Sequence, residues 1–361
     1  MSRWAALITD PTAGGTTLDV IEGGGTPLLI PAPNLFAPVT TAQVDAGETP
    51  LSRNDENRGR RANAAPTSFA SAPIGSLGGR AYPKIINKLW RDVLGGAVTT
   101  TGTAPAAITS KIPTLQTGNL PALVLWLLRE EQLDRLTGAI VSQLELDLPV
   151  EGDGTWTASL PALFHDVQSS TSPKDPGGGA AAAYPTPDYT GFEETYKLRD
   201  CIAKRGSAEE ELANLAGIKL TFNNGMIEDF RTRFRPNHNI LVVEIGGVKK
   251  KLWYPAKHKI GAQNVTGTIT ASSVDAAAEA RRRFAVAEKL IVESFAGPLA
   301  TTPPSTEGIR LVLSKMELTG GGAEPLQREG DQTASFEFSA YVDEATNTDV
   351  EAQIVAAAAV A

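Results

Sequence analysis

The chain has 361 residues, with 33 Lys and Arg against 41 Asp and Glu, and its formal charge of −8 argues against a protein that grips nucleic acid by neutralising phosphates with clustered cations. One cysteine, Cys201, and three separated histidines exclude a disulfide framework and a Cys-rich zinc site, so neither metal nor cofactor is expected. Hydrophobic residues at 42% suffice for cores, while 34 Gly and 24 Pro mark a loop-rich chain.

Residues 1–80 are dominated by Thr, Pro, Gly and Ala, a composition that buries little apolar surface alone. They read as an extended N-terminal arm with long loops, either poorly ordered or ordered on a neighbouring copy. Its charged stretch, Arg53 to Arg61, contains Arg58, Arg60 and Arg61. The apolar stretch after Met1 is too brief for a secretory leader, and the longest apolar runs, 122–128 and 354–361, are too short to cross a bilayer, so no membrane is expected.

From Tyr82 to Leu94, Ile85, Ile86, Leu89, Trp90, Val93 and Leu94 recur at helical steps before Gly95-Gly96, which predicts an amphipathic helix with a glycine stop. Ile140 to Val150 alternates, with Leu144, Leu146 and Leu148 on one face and Gln143, Glu145 and Asp147 on the other. The turn Glu151-Gly152-Asp153-Gly154 then leads into Thr155 to Leu160, and together they predict a hairpin. Residues 81–170, with strands contributed by the arm, form a first unit on this reading, and the Ser-, Pro-, Gly- and Ala-rich stretch 171–187 a linker.

Residues 188–345 replay the same elements as a second unit. Gly217 to Phe222 alternates, Asn223-Asn224-Gly225 offers turn chemistry, and Met226 to Phe234 returns with alternating residues, predicting a second hairpin. Strands are expected over Asn239 to Gly246, Gln263 to Ala271, Ile309 to Met316 and Thr333 to Val342, with Val342 inward. Lys249-Lys250-Lys251 reads as a charged loop tip, followed by Lys257-His258-Lys259. A long helix is expected over Val274 to Phe295, striped by Ala277, Ala280, Phe284, Ala287 and Ile291. Residues 346–361 form an apolar C-terminal tail.

The glycine clusters at 23–25, 177–179 and 320–322 lack the strand-then-helix context of a phosphate cradle, and no catalytic signature occurs. Cys201 reads as a buried structural thiol rather than a nucleophile. Glu145 and Asp147 read as a solvated strand face rather than a carboxylate dyad. No enzymatic activity is expected. A surface adhesin or a glycan hydrolase are the alternative classes, but the first calls for a signal peptide and more aromatics than 6%, and the second for a carboxylate pair in a cleft.

The segments Thr137-Gly138-Ala139-Ile140-Val141-Ser142-Gln143-Leu144-Glu145-Leu146-Asp147-Leu148 and Trp156 to Leu160 resemble the first hairpin of tail tube proteins from long-tailed bacteriophages. Leu220 to Arg231 resembles their second hairpin, and Phe336 to Asp343 their last core strand. The resemblance implies an α+β, mainly β fold of two β-sandwich or barrel-like units, each flanked by a helix. It implies a virion structural protein, assembled in the host cytoplasm, whose rings stack into a hollow tail tube. Three copies with pseudo-sixfold symmetry, or six, would close a ring. Its partners would be further copies, a tape-measure protein, a tail terminator, tail-tip proteins and passing double-stranded DNA, bound without specificity. Candidate lumen or ring-facing residues are Gln143, Glu145, Asp147, Lys219, Asp229, Arg231 and Arg233. Candidate inter-subunit loop residues are Arg58, Arg60, Arg61, Lys249, Lys250, Lys251, Lys257 and Lys259.

Overall fold

A computed structural model describes residues 4–9, 35–50, 68–102, 108–114, 120–129, 132–169, 186–212, 215–229, 240–245, 248–253, 257–259, 261–271, 287–295, 308–323, 334–342 and 349–356. The first half supplies β1 (Trp4–Thr9), β2 (Leu35–Ala37), β3 (Val39–Asp45), β4 (Thr49–Pro50), β5 (Ser68–Ala70), β6 (Ile74–Arg80), α1 (Pro83–Leu94), β7 (Thr99–Thr101) and β8 (Ile108–Pro113). There follow β9 (Leu123–Arg129), β10 (Gln132–Ala139), β11 (Gln143–Pro149), β12 (Thr155–Pro161) and β13 (Phe164–Ser169). The second half supplies β14 (Cys201–Arg205), β15 (Glu210–Glu211), β16 (Leu215–Asn223), β17 (Ile227–Asp229), β18 (Ile240–Ile245), β19 (Val248–Trp253) and β20 (Lys257–Lys259). It ends with β21 (Asn264–Ala271), β22 (Glu288–Phe295), β23 (Gly308–Ala323), β24 (Ala334–Tyr341) and β25 (Val350–Ala356).

Alternation explains most of these strands. Leu144, Leu146 and Leu148 of β11, Trp156, Ala158 and Leu160 of β12, and Ile218, Leu220 and Phe222 of β16 are all buried on one side, with polar residues between them on the other. β9 instead reads as an unbroken apolar run because both of its faces are covered. Leu123, Leu125 and Leu127 join the main core, while Val124, Trp126 and Leu128 join Phe36 and Leu133 in a small cluster on the far side.

Each half is a sandwich of two antiparallel sheets. In the first, β13-β10-β9-β1-β2 packs over β3-β6-β12-β11. The layers are close enough that a Cβ on Gly75 of β6 would lie 2.7 Å from Leu136 and 2.9 Å from Leu125. In the second half β23 serves both layers. Its residues 308–313 lie between β22 and β25, and residues 315–323 pair with β24. One layer is therefore β25-β23-β22-β14-β15, and the other β23-β24-β21-β16. Taken in chain order, β1, β2, β3, β6, β9, β10, β11, β12 and β13 have the same neighbours in their half as β14, β15, β16, β21, β22, early β23, late β23, β24 and β25 have in theirs.

The halves meet where β11 pairs with β16, in register from Gln143 opposite Asn223 to Pro149 opposite Gly217. α1 begins with Pro83 and ends at Gly95, whose positive φ of 67° and N–H to the Arg91 carbonyl close the last turn. Its buried side touches β11 and β8 of its own half and β23 and β25 of the other, and Trp90 meets the Phe222 ring edge-on at 6.2 Å. β8 also crosses over, pairing with β25.

Several expectations change. Glu288–Phe295, expected as the end of a helix, is a strand, because Leu290, Ile291 and Val292 form a β-favouring run buried on both faces between β14 and β23. Residues 274–286 lie outside the described residues. β16 does not form a hairpin with the segment after Asn223-Asn224-Gly225. It pairs with β11 and β21, while β17 pairs with β20. Gly225 takes the positive φ of 52° the sequence suggested, but buried Asn224 donates its amide to the carbonyls of Val93 and Val141, tying the strand end to α1 and turning the chain out of the sheet. Of the strands from the first 80 residues, β1 and β2 lie in one sheet of the first half and β3 and β6 in the other. Lys249 to Lys251 lie within β19 rather than at a loop tip, and Val342 is exposed.

The C-terminal segment is likewise no free tail, since Val350, Ala352 and Ile354 are buried on β25 between β8 and β23. Ile354→Ala should therefore cost about 2 to 5 kcal/mol of unfolding free energy, measured by urea denaturation. A loss below about 0.5 kcal/mol would contradict a core position for this strand.

Candidate functional site

The core side of β3-β6-β12-β11-β16-β21-β24-β23 leaves the opposite side of eight strands as one mainly polar surface, with Ile74 and Tyr341 exposed at its margin. Strand register arranges it in rows that run across both halves. One row reads Thr41, Gly78, Thr157, Glu145, Thr221, Thr266, Ser339, Glu317. Beside it runs Arg80, Thr155, Asp147, Lys219, Thr268, Glu337, Gly320. On the other side lies Gln43, Ser76, Ser159, Gln143, Asn223, Asn264. The rows hold hydroxyls, amides and a few charges, with no large apolar side chain.

The cations within these rows are already engaged. Lys219 Nζ lies 2.8 Å from Glu145 Oε1, and Arg80 Nη1 lies 3.2 Å from Asp153 Oδ2. The hydrogen bond to Glu145, reinforced by the charges of Glu145 and Asp147, holds the Lys219 ammonium above the usual lysine range. Its stabilising effect is therefore present below the usual lysine range wherever those carboxylates are ionised, and is lost as pH rises through the raised value. Thr195 donates a hydrogen bond to Asp153 that, together with the charges of Lys197 and Arg80, outweighs the opposing effect of burial and keeps that carboxyl below its usual range. At neutral pH this charge pattern is fixed.

Of the sequence candidates, Gln143, Glu145, Asp147 and Lys219 come together here. Asp229 does not, since it sits on β17 opposite Lys257. Lys259 faces Ile227 across the same pair of strands. Lys249, Lys250 and Lys251 lie on β19 opposite Glu244, Val243 and Val242. Arg58, Arg60, Arg61, Arg231 and Arg233 lie outside the described residues. Residues not singled out from the sequence complete the surface, among them Thr157, Thr266, Thr268, Glu337 and Ser339. Their signal was present as Ser and Thr at alternate positions of β12 and β21, and in part of β24.

Other polar groups are structural. Burial alone would raise the Asp134 carboxyl, but hydrogen bonds from His165, Arg129 and Gln132 outweigh it and hold it below the usual range. Burial, with Glu293 nearby, pushes the Cys201 thiol up to about 12, so it carries no thiolate at neutral pH. Among the described residues no helix is long and apolar enough to cross a membrane.

The family model described as phage tail tube protein matches residues 9–340, and the chain belongs to that family. It is thus a structural protein of the bacteriophage virion, located in the tail, which assembles with itself and other tail proteins into a tube. No curated protein matches the sequence.

Because Lys219 is nearly half exposed, its pair with Glu145 contributes little to folding. Lys219→Gln should change the unfolding free energy by no more than about 1 kcal/mol at pH 7, read from urea denaturation. A larger loss would mean that the charge pair, rather than the apolar side of the sheet, sets the strand register.

Proposed function

We propose that copies of this chain close into rings, that rings stack into the hollow tail tube, and that the eight-stranded polar face lines the lumen through which double-stranded DNA is delivered. The continuity of that face across both halves carries the reading. A conduit must let a polyanion slide, and a wall of hydroxyls and amides, with carboxylates in excess and the nearest cations engaged, offers phosphates no array of free cations whose counterions they could release. Two sandwiches per chain let three copies present six units around the ring. During assembly the same lumen would hold a tape-measure protein, and a terminator and tail-tip complex would bound a stack that otherwise grows without limit.

Thr221, at the centre of the middle row, gives the test. Cys201 is half-buried and is replaced (Cys201→Ser), so that position 221 alone carries a thiol. A Thr221→Cys chain should react with both small and polymer-linked maleimides before assembly, and with the small reagent alone once in tubes. Equal reaction of tubes with the bulky reagent would place this face outside and end the reading. Negative-stain images of the same tubes, viewed end on, count the units in the ring.

A further inference from the structure

The two halves match in detail as well as in strand order. After β3, Asp45 Oδ1 accepts the Gly47 N–H at 2.8 Å. Gly47 has φ +59°, and a Cβ there would lie 2.2 Å from the Ala72 carbonyl oxygen, two residues before β6. After β16, Asn223 Oδ1 accepts the Gly225 N–H at 2.8 Å. Gly225 has φ +52°, and its Cβ would lie 2.4 Å from the Ala262 carbonyl oxygen, two residues before β21. Both turns thus exclude any side chain at the glycine for the same reason, and they equate Asp45 with Asn223 and Ala72 with Ala262. Strand pairing carries the equivalence across each sheet. Ser76 and Ser159 correspond to Thr266 and Ser339, so Gln143, opposite Ser159, corresponds to Glu317, opposite Ser339.

One feature is not repeated within the chain. The outer edge of β11 is covered by β16, but among the described residues no strand covers the corresponding edge of β23 beyond Met316. Likewise β16 is covered by β11, whereas among the described residues no strand covers the corresponding edge of β3. Open edges of this kind are templates for pairing. We infer that late β23 of one copy pairs antiparallel with β3 of the next, reproducing between copies the β11–β16 junction, with Glu317 opposite Asp45 as Gln143 is opposite Asn223. The occupant of each edge is a second copy of this chain, because each edge has its complementary partner in the other and the joined pair already exists internally. The contact is head-to-tail and closes only as a ring.

This inference rests on the ring reading above and differs from the internal junction in one respect. Two amides inside the chain become two carboxylates between copies, and like charges directly opposite weaken a strand pair. The junction is therefore closed against unfavourable charge, which gives a second handle on it.

A chain with Asp45→Cys and Glu317→Cys, assembled and then oxidised, should give a covalent ladder ending in one closed species. Gln143→Cys with Asn223→Cys is the control, removes the equivalent turn acceptor, and should close a disulfide within one chain. If rings form and the control closes but the intermolecular pair does not, the junction is wrong while the ring reading stands. If the cysteine chain fails to assemble, the Asp45→Asn, Glu317→Gln chain decides: it should form rings at roughly two- to five-fold lower concentration than the unmodified chain. Unchanged or weakened assembly overturns the junction. Absence of rings from the unmodified chain overturns the ring reading and the junction together.

Discussion

The pairing of β11 with β16 ties the two halves of the molecule into one sheet, and most of the fold follows from the demands it makes. β11 has strands on both edges, leucines on one side and polar residues on the other, so its register is fixed twice over. A one-residue slip would turn Leu144, Leu146 and Leu148 to water and bury Glu145 and Asp147. Asn224 secures the end of the same seam. Its backbone N–H donates to the Ser142 carbonyl, its side-chain amide serves the carbonyls of Val93 and Val141, and its own carbonyl oxygen accepts from Gln263. A buried amide so fully paired costs little to bury, whereas removing it would orphan the Val93 carbonyl at the C-terminal end of α1 and the Val141 carbonyl just before β11. The helix then closes the core beneath both halves, so no half can shift without unpacking Trp90 from Phe222.

The polar face owes its character to that arrangement. Strands buried on one side must alternate, and the outward positions are free of packing constraints. In this chain many of them are filled by short hydroxyl and amide residues, with a few charged side chains between them. Short side chains leave a smooth surface, and β-branched threonine suits the strand backbone without adding charge. Of the cations on this face, Lys219 and Arg80 lie within reach of carboxylates, and with Lys315 exposed at its margin the described surface still presents no array of free cations of the kind that phosphate binding draws on.

How much of this was legible depended on whether a local pattern had a local cause. The β11–β12 hairpin could be read from alternation and the Gly-Asp-Gly turn because its partners are adjacent in sequence. The helix at Pro83–Leu94 was equally plain from its spacing and its glycine stop. Asn223-Asn224-Gly225 misled because its chemistry fits a tight hairpin, while the winning interaction, from Asn224 to Val93 and Val141, spans more than 80 residues. Leu290, Ile291 and Val292 gave no alternation because both of their faces are covered, and an apolar run of that kind reads as readily as helix. Ile354 looked like part of a sticky tail only because β8 and β23, which bury it, lie far away in sequence. Four of the candidate residues came from the hairpin that was read correctly or from the strand paired beside it. The rest of the polar face depended on a strand order that no short motif encodes.

A sheet that runs through two similar halves also constrains how copies can join. Twist and spacing at the β11–β16 seam are set within one chain, where the two strands meet at high effective concentration and can settle before any second copy arrives. If copies join as the halves do, the rotation between neighbouring chains is already written into each monomer, and ring size becomes a property of the fold rather than of assembly conditions. Closure then removes the exposed strand edges that would otherwise invite indiscriminate pairing. The two carboxylates at the outer seam fit this logic, because a junction slightly weaker than the internal one lets chains fold before they join.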